Sequence, residues 1–127
     1  MIDYDLTLDE TTGILKVTLS GILDRPEDDL LEQTGALLMQ HPSNPVLLDH
    51  RNLRLEIDLT ELYEMGEALE EHPSTPHVAR MAVLVNPDQD TRPYEFFVNV
   101  MNNRGVPMRA FQWDQEEQAL EWLTSES

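Results

Sequence analysis

Three residues with chemically active side chains follow a short apolar run near the middle of the chain. Asp49, His50 and Arg51 come directly after 46–48. Imidazole titrates near neutral pH, and guanidinium matches carboxylate and phosphate groups through two parallel hydrogen bonds. The cluster therefore has the side chains needed to bind an anion or to move a proton.

Similar residues follow two later apolar runs, at 79–85 and 108–113. Both runs are predicted to form neighbouring parallel strands. In open α/β sheets, ligands tend to bind beyond the carboxyl ends of such strands. The candidate ligand-binding residues at those ends are Asp49, His50, Arg51, Asn86, Arg92 and Trp113. Arg51 and Arg92 suit a carboxylate or a phosphate. Because acidic residues are plentiful, the favoured alternative is that both arginines pair with neighbouring Asp or Glu.

Metal, cofactor and catalytic motifs are not found, so we expect no metal, no cofactor and no enzyme activity. The four histidines, His41, His50, His72 and His77, are not spaced to share a helical face, and cysteine is absent. The 5 glycines are isolated, so there is no glycine-rich phosphate loop. Carboxylates are so abundant that spacing cannot identify a general acid and base.

The composition limits the classes of partner. Acidic residues number 25 against 8 basic ones, which gives a net charge of -17, while 40% of residues are hydrophobic, as in ordinary globular domains. Such a surface repels phosphates, so no nucleic acid is expected as a partner. No apolar run reaches the roughly 18 residues of a membrane span, and no leader segment is recognised, so we expect a cytoplasmic protein. High-salt adaptation explains the acidity slightly better than partner choice does.

Hydrophobic periodicity predicts the elements that position these residues. Alternating apolar residues predict two strands over 2–8 and 15–20, joined as a hairpin by the turn at 9–13. Apolar runs predict later strands at 46–48, 79–85 and 108–113, and Asp49 stands at the end of the first of these. Helices are predicted from Asp24 to about Gln40, from Asp58 to about Glu70, after Pro93, and from Asp114 onward.

The predicted order is β-β-α-β-α-β-α-β-α. Alternating strands and helices imply a mixed, mostly parallel sheet, to which the N-terminal hairpin adds an antiparallel part. We therefore predict one α/β domain that spans residues 1–127.

This order, together with four segments, resembles the SpoIIAA-like family, which is related to the STAS regulators and often compared with the CRAL-TRIO lipid-binding fold. The segments are 17–21 (VTLSG), 46–49 (VLLD), 82–85 (AVLV) and 119–123 (ALEWL). The resemblance covers nearly the whole chain and implies the fold more specifically than any activity.

The resemblance also implies candidate regulatory residues, Asp58 and Thr60. In the STAS antagonists, an Asp-Ser-Ser-Gly-like segment opens the helix after the central strand and carries a phosphorylated serine. The matching segment here is Asp58-Leu59-Thr60-Glu61, so Thr60 supplies its only hydroxyl. A helix start suits a phosphate, but an ordinary first-turn threonine is the simpler interpretation.

The resemblance and the missing catalytic motifs together favour a non-catalytic regulatory or protein-interaction domain, with a homodimer plausible. The alternative is a carrier or sensor of a small apolar or amphipathic ligand near the strand ends. The side chains of Phe96, Phe97, Met101, Met108 and Phe111 could line a pocket, although such residues at this spacing usually form the core.

Overall fold

The computed structural model describes residues 2–24, 28–41, 43–56, 60, 64, 80–103 and 105–125. Its elements are β1 (Ile2–Leu8), β2 (Leu15–Leu23), α1 (Asp28–Gln40), β3 (Val46–Leu55), β4 (Met81–Leu84), α2 (Arg92–Asn103), β5 (Met108–Phe111) and α3 (Glu116–Thr124). This order confirms the predicted α/β class and the alternation of strands and helices. The predicted helix over 58–70 lies outside the described residues except at Thr60 and Glu64, which are both helical and exposed.

Within the described residues, the sheet has five strands in the order β1-β2-β3-β4-β5. β1 pairs with β2 antiparallel, and each later pair is parallel, as predicted. The hairpin turn needs Gly13, whose φ of 77° lies in the left-handed region that glycine adopts without a steric penalty.

Helices lie on both faces of the sheet. Leu30 of α1 and Tyr94 and Met101 of α2 join the larger apolar core, which covers one face. Ala119 and Leu123 of α3 join a smaller core on the other face. Because successive strand residues point to opposite faces, β3, β4 and β5 each contribute to both cores. We call these faces the α1/α2 face and the α3 face.

β3 is longer than the sequence predicts, which corrects the expectation that it ends near Leu48. β2 runs alongside it as far as the Leu23–Leu55 pair. Thr18 pairs with Asp49 and Ser20 pairs with Asn52, so the single residue Leu19 lies opposite two residues of β3. This bulge reverses the alternation and turns Leu53 and Leu55 into the larger core.

The polar residues 49–51 therefore lie inside a strand. β4 ends at Leu84, opposite Asp49, so these residues still stand at the carboxyl ends of β4 and β5. The predicted start of α3 at Asp114 also needs correction, because the helix begins at Glu116. The residue before the helix is Gln115, and no side-chain hydrogen bond caps the helix there.

Candidate functional site

Asp49 is a buried carboxylate on the α3 face, with only 6% of its surface exposed. It accepts hydrogen bonds from the backbone N–H of Arg51 at 3.2 Å and from Nε and Nη2 of Arg51 at 3.0 and 2.8 Å. Lys16 Nζ lies 3.9 Å away. Burial alone would raise the pKa of Asp49, but the hydrogen bonds and charge of Arg51, with Lys16, bring it below the usual value. Asp49 is therefore held ionised.

Arg51 joins this carboxylate to the start of α3. Its Nη1 donates to Glu116 Oε1 at 3.3 Å, and its side chain keeps 30% exposure. Hydrogen bonds and charge from Asp49 and Glu116 outweigh burial and raise the pKa of Arg51. The expected alternative of pairing within the chain is thus observed for this guanidinium.

Arg92 also pairs within the chain, but at the surface. Its Nη2 lies 2.6 Å from Asp90 Oδ2, and its side chain is 83% exposed. Hydrogen bonds from Arg92 lower the pKa of Asp90 to about 2. Because Arg92 begins α2 while Arg51 faces α3, the fold places the two arginines in different layers.

His50 points to the α1/α2 face, away from its neighbours in the sequence. Its Nδ1 lies 3.0 Å from the hydroxyl of Tyr94, a buried residue of α2. Burial lowers the pKa of His50 to about 4, although the charge of Asp49 acts in the opposite direction. The imidazole is therefore neutral at pH 7. Burial likewise raises the pKa of Tyr94.

His50 and Tyr94 line an apolar cavity of about 110 Å³ between the sheet and helices α1 and α2. The other lining side chains among the described residues come from α1, α2 and four strands: Val17, Leu19, Leu23, Leu30, Thr34, Leu48, Leu55, Val83, Pro93, Phe97 and Met108. Among these lining residues none carries a charge at neutral pH. Phe97 and Met108 were both candidates for a pocket in the sequence.

The loop after β4 attaches to the free edge of β3. Gln89 accepts a hydrogen bond from Leu55 N at 2.8 Å and donates one to Leu55 O at 3.1 Å. Asn86 donates to Leu53 O at 3.2 Å. Gln89 and Tyr94 are not among the site residues predicted from the sequence, because a turn glutamine and a core tyrosine leave no spacing signal. If the strand had been predicted to reach Leu55, its backbone N–H and C=O groups there would have required hydrogen-bond partners.

Exposed apolar side chains lie at the carboxyl end of the sheet. Trp113, in the loop between β5 and α3, is 50% exposed. Ile22, near the end of β2, is 44% exposed and points away from buried Leu23. Arg51 lies between their strands and contacts α3 through Glu116. We call Ile22, Arg51 and Trp113 the strand-end surface.

The described residues contain no group of three or more acidic or histidine side chains that could hold a metal. Within the same ranges, no helix is long and apolar enough to cross a membrane. Of the two candidate regulatory residues, Thr60 is exposed, and Asp58 lies outside the part of the chain that the structure describes.

Comparison with known proteins gives a family match over residues 14–124, to the SpoIIAA-like model. The chain belongs to the SpoIIAA-like family. Among curated proteins, no relative matches the chain.

Two solved structures share the fold of this SpoIIAA-like domain. An anti-sigma factor antagonist from Mycobacterium paratuberculosis has a TM-score of 0.59 and 17% identity, over 98% of this chain and 96% of its own. An uncharacterised DUF3478-family protein with a SpoIIAA-like fold from Shewanella loihica PV-4 has a TM-score of 0.59 and 18% identity, over 96% and 93%. The family match and these two structures give the CRAL-TRIO comparison no support.

Proposed function

We propose that this SpoIIAA-like domain is a non-catalytic regulator that acts by binding a protein partner through the strand-end surface. The half-exposed Trp113 carries the proposal, because Trp and Arg are the residues that most often dominate binding energy at protein interfaces. The regulatory role of the structurally similar anti-sigma factor antagonist supports it.

The charged residues at this surface suit binding better than catalysis. A general base must accept a proton in the reaction, but Asp49 is buried, ionised and engaged by Arg51. Arg51 joins the β3 bulge to the start of α3 through Glu116, and its side chain keeps 30% exposure. The ion pairs therefore hold the surface in one shape, which lowers the entropic cost of binding.

The partner should present a basic or neutral surface. With a net charge of -17, the domain repels acidic partners and attracts basic ones over roughly 10 Å at 0.1 M salt. A second copy of the chain carries the same charge, so a homodimer would need an apolar contact such as that of Trp113.

Affinity capture tests this proposal with two matched variants. Tagged wild-type domain, Trp113→Ala and Tyr4→Ala are incubated with lysate of the producing organism, and captured proteins are quantified by mass spectrometry. Tyr4 is the control because it is an exposed aromatic residue on β1, far along the sheet from Trp113. We expect one protein to be captured stoichiometrically by wild type and Tyr4→Ala, and at least about tenfold less by Trp113→Ala. Equal capture by both variants would reject the strand-end surface.

The alternative, a carrier or sensor of a small apolar or amphipathic ligand near the strand ends, has less support. Pockets for drug-sized ligands typically have about 300–1,000 Å³, and the apolar cavity here has about 110 Å³. A long acyl chain is too large for that space.

A further inference from the structure

β1 lies at one edge of the sheet, and its backbone pairs with β2 along one side. In an antiparallel pair, successive residues alternate between directing their N–H and C=O groups towards the partner strand and away from it. Leu15 of β2 donates its N–H to Pro45 O, on the side of β3, and Leu15 stands opposite Leu8. The backbone groups of Leu8, and by alternation those of Leu6 and Tyr4, therefore point away from β2.

On the opposite edge of the sheet, the chain closes such outward groups with its own side chains. On β5, Asn102 accepts a hydrogen bond from Met108 N at 3.1 Å and donates one to Met108 O at 3.0 Å. Just beyond β5, Gln115 accepts from Gln112 N at 2.8 Å. Among the residues that the structure describes, no side chain makes a hydrogen bond to the backbone of 2–8. Because an unpaired edge is a template for pairing with another chain, β1 is open to strand addition.

The two faces of β1 differ in chemistry. On the α1/α2 face, Leu6 and Leu8 pack against the larger core, and Tyr4 is 37% exposed. On the α3 face, Asp3 and Asp5 are exposed, and within the described ranges no ion pair involves either carboxylate. Opposite charges on facing positions of two strands stabilise the pair, and like charges destabilise it. An added strand therefore fits best with basic residues on the α3 face and apolar residues on the α1/α2 face.

A second copy of the chain fits this edge poorly. Pairing of two β1 strands would bring the carboxylates of Asp3 and Asp5 close to the same residues of the other copy. Each copy also carries a net charge of -17, which opposes their approach. The open edge therefore selects a basic partner over self-association.

We propose that the edge of β1 binds an extended segment of a partner protein in which basic and apolar residues alternate, so that the segment adds a strand to the sheet. Main-chain hydrogen bonds to Tyr4, Leu6 and Leu8 supply affinity, and the alternating side chains supply specificity. β1 and β5 are at opposite ends of the strand order, and Trp113 follows β5. This proposal is therefore independent of partner binding at the strand-end surface.

Amide hydrogen exchange of the free domain tests whether the edge is open. We expect the amides of Tyr4 and Leu6 to exchange rapidly, because they point away from β2. The amides of Asp5 and Thr7, which bond to β2, should exchange more slowly. Equal protection of all four amides would overturn the open edge.

A heptapeptide in which Lys and Val alternate is the probe for binding. One comparison peptide has the same composition with its Val residues grouped together, and another has Glu in place of Lys. Each is titrated into ¹⁵N-labelled domain while amide shifts and exchange are recorded. We expect saturable binding of the alternating peptide that protects Tyr4 and Leu6, at least about fivefold weaker binding of the grouped peptide, and none of the Glu peptide. Equal binding of the alternating and grouped peptides, or shifts centred away from β1, would overturn the proposal.

Two double variants separate the local charges from the net charge. Asp3→Asn/Asp5→Asn removes the carboxylates beside the edge, and Asp88→Asn/Glu117→Gln removes two exposed carboxylates elsewhere. We expect affinity for the alternating peptide to fall at least about threefold in the first variant and to stay unchanged in the second. Equal weakening in both would overturn the local role of Asp3 and Asp5.

Tyr4→Pro and Tyr4→Ala separate the backbone from the side chain. Both remove the ring, but only proline removes the outward N–H, and edge strands tolerate proline where that N–H faces solvent. Amide spectra of the free variants check that each keeps the fold. We expect the alternating peptide to bind Tyr4→Pro at least about threefold more weakly than Tyr4→Ala. Equal affinity of the two variants would overturn main-chain pairing at β1.

Discussion

Asp49 and Asp90 each accept hydrogen bonds from the arginine two positions later. Because the pairs differ in burial, they should differ in their contribution to the free energy of unfolding. Asp49 is shielded between the sheet and α3, whereas the Asp90–Arg92 pair lies at the surface. Water and salt screen the exposed pair, and a buried carboxylate that loses its charge leaves its partners without an acceptor of equal strength. Pairing of both arginines with neighbouring acids could be predicted from the sequence. The sequence did not indicate which pair is buried.

Asp49→Asn should therefore lower the free energy of unfolding by about 1–3 kcal/mol, the usual penalty for disrupting a buried charged hydrogen-bonding group. Urea denaturation followed by circular dichroism measures the change. Asp90→Asn is the matched control and should leave the denaturation midpoint unchanged. Equal effects of the two substitutions would contradict the structural role of Asp49.

His50 predicts how stability depends on pH. Its pKa is about 4 in the folded domain and about 6.5 in an unfolded chain, so between these values only the unfolded chain binds the proton. The stabilisation is complete above pH 6.5 and is lost as pH falls towards 4, by up to about 3 kcal/mol. Urea midpoints from pH 7 to 4.5 should fall in wild type. His50→Gln should remove most of that slope, and an unchanged slope would contradict a neutral imidazole in the folded domain.

At the scale of elements, β3 extends past the end of β4, and the loop after β4 satisfies its free edge. The Gln89 amide pairs with both the N–H and C=O of Leu55, as a neighbouring strand would. The polar residues 49–51 interrupt the apolar run, so periodicity predicted an early end to this strand. After the bulge, Leu53 and Leu55 are again two residues apart. This spacing was the remaining sign in the sequence that β3 continues.

Gln89→Ala should speed amide hydrogen exchange at Leu55 by about 3–10-fold, because an ordinary hydrogen bond contributes about 0.5–1.5 kcal/mol. The measurement is exchange followed by NMR. The amide of Leu48, where β2 and β4 flank β3, is the internal control and should keep its rate. No change at Leu55 would show that the loop does not protect this edge.

At the scale of the whole molecule, the sheet and its helices could be predicted from periodicity and turn residues, because burial selects the apolar pattern. The site could be predicted only in part. Residues 49–51 were found, but the bulge that turns Leu53 and Leu55 into the larger core depends on tertiary pairing. Tyr94, which completes the His50 contact, lies 44 residues away in the sequence.

The net charge of -17 predicts a stabilising effect of salt. Repulsion among surface carboxylates opposes the compact state, and salt reduces the Debye length from about 10 Å at 0.1 M to about 3 Å at 1 M. The thermal midpoint should therefore rise by several degrees between 0.05 and about 1 M KCl. Sucrose matched in osmolarity provides the control for non-ionic effects. A midpoint that falls with KCl would contradict a self-repelling surface.

The most direct test of the proposed regulator is a hydrogen-exchange footprint of the domain with its captured partner. Amides of the Trp113 loop and of β3 near Arg51 should become protected, while those of β1 and α1 should exchange at the same rates as in the free domain. Protection confined to β1 and α1, or no protection at saturation, would contradict partner binding at the strand-end surface.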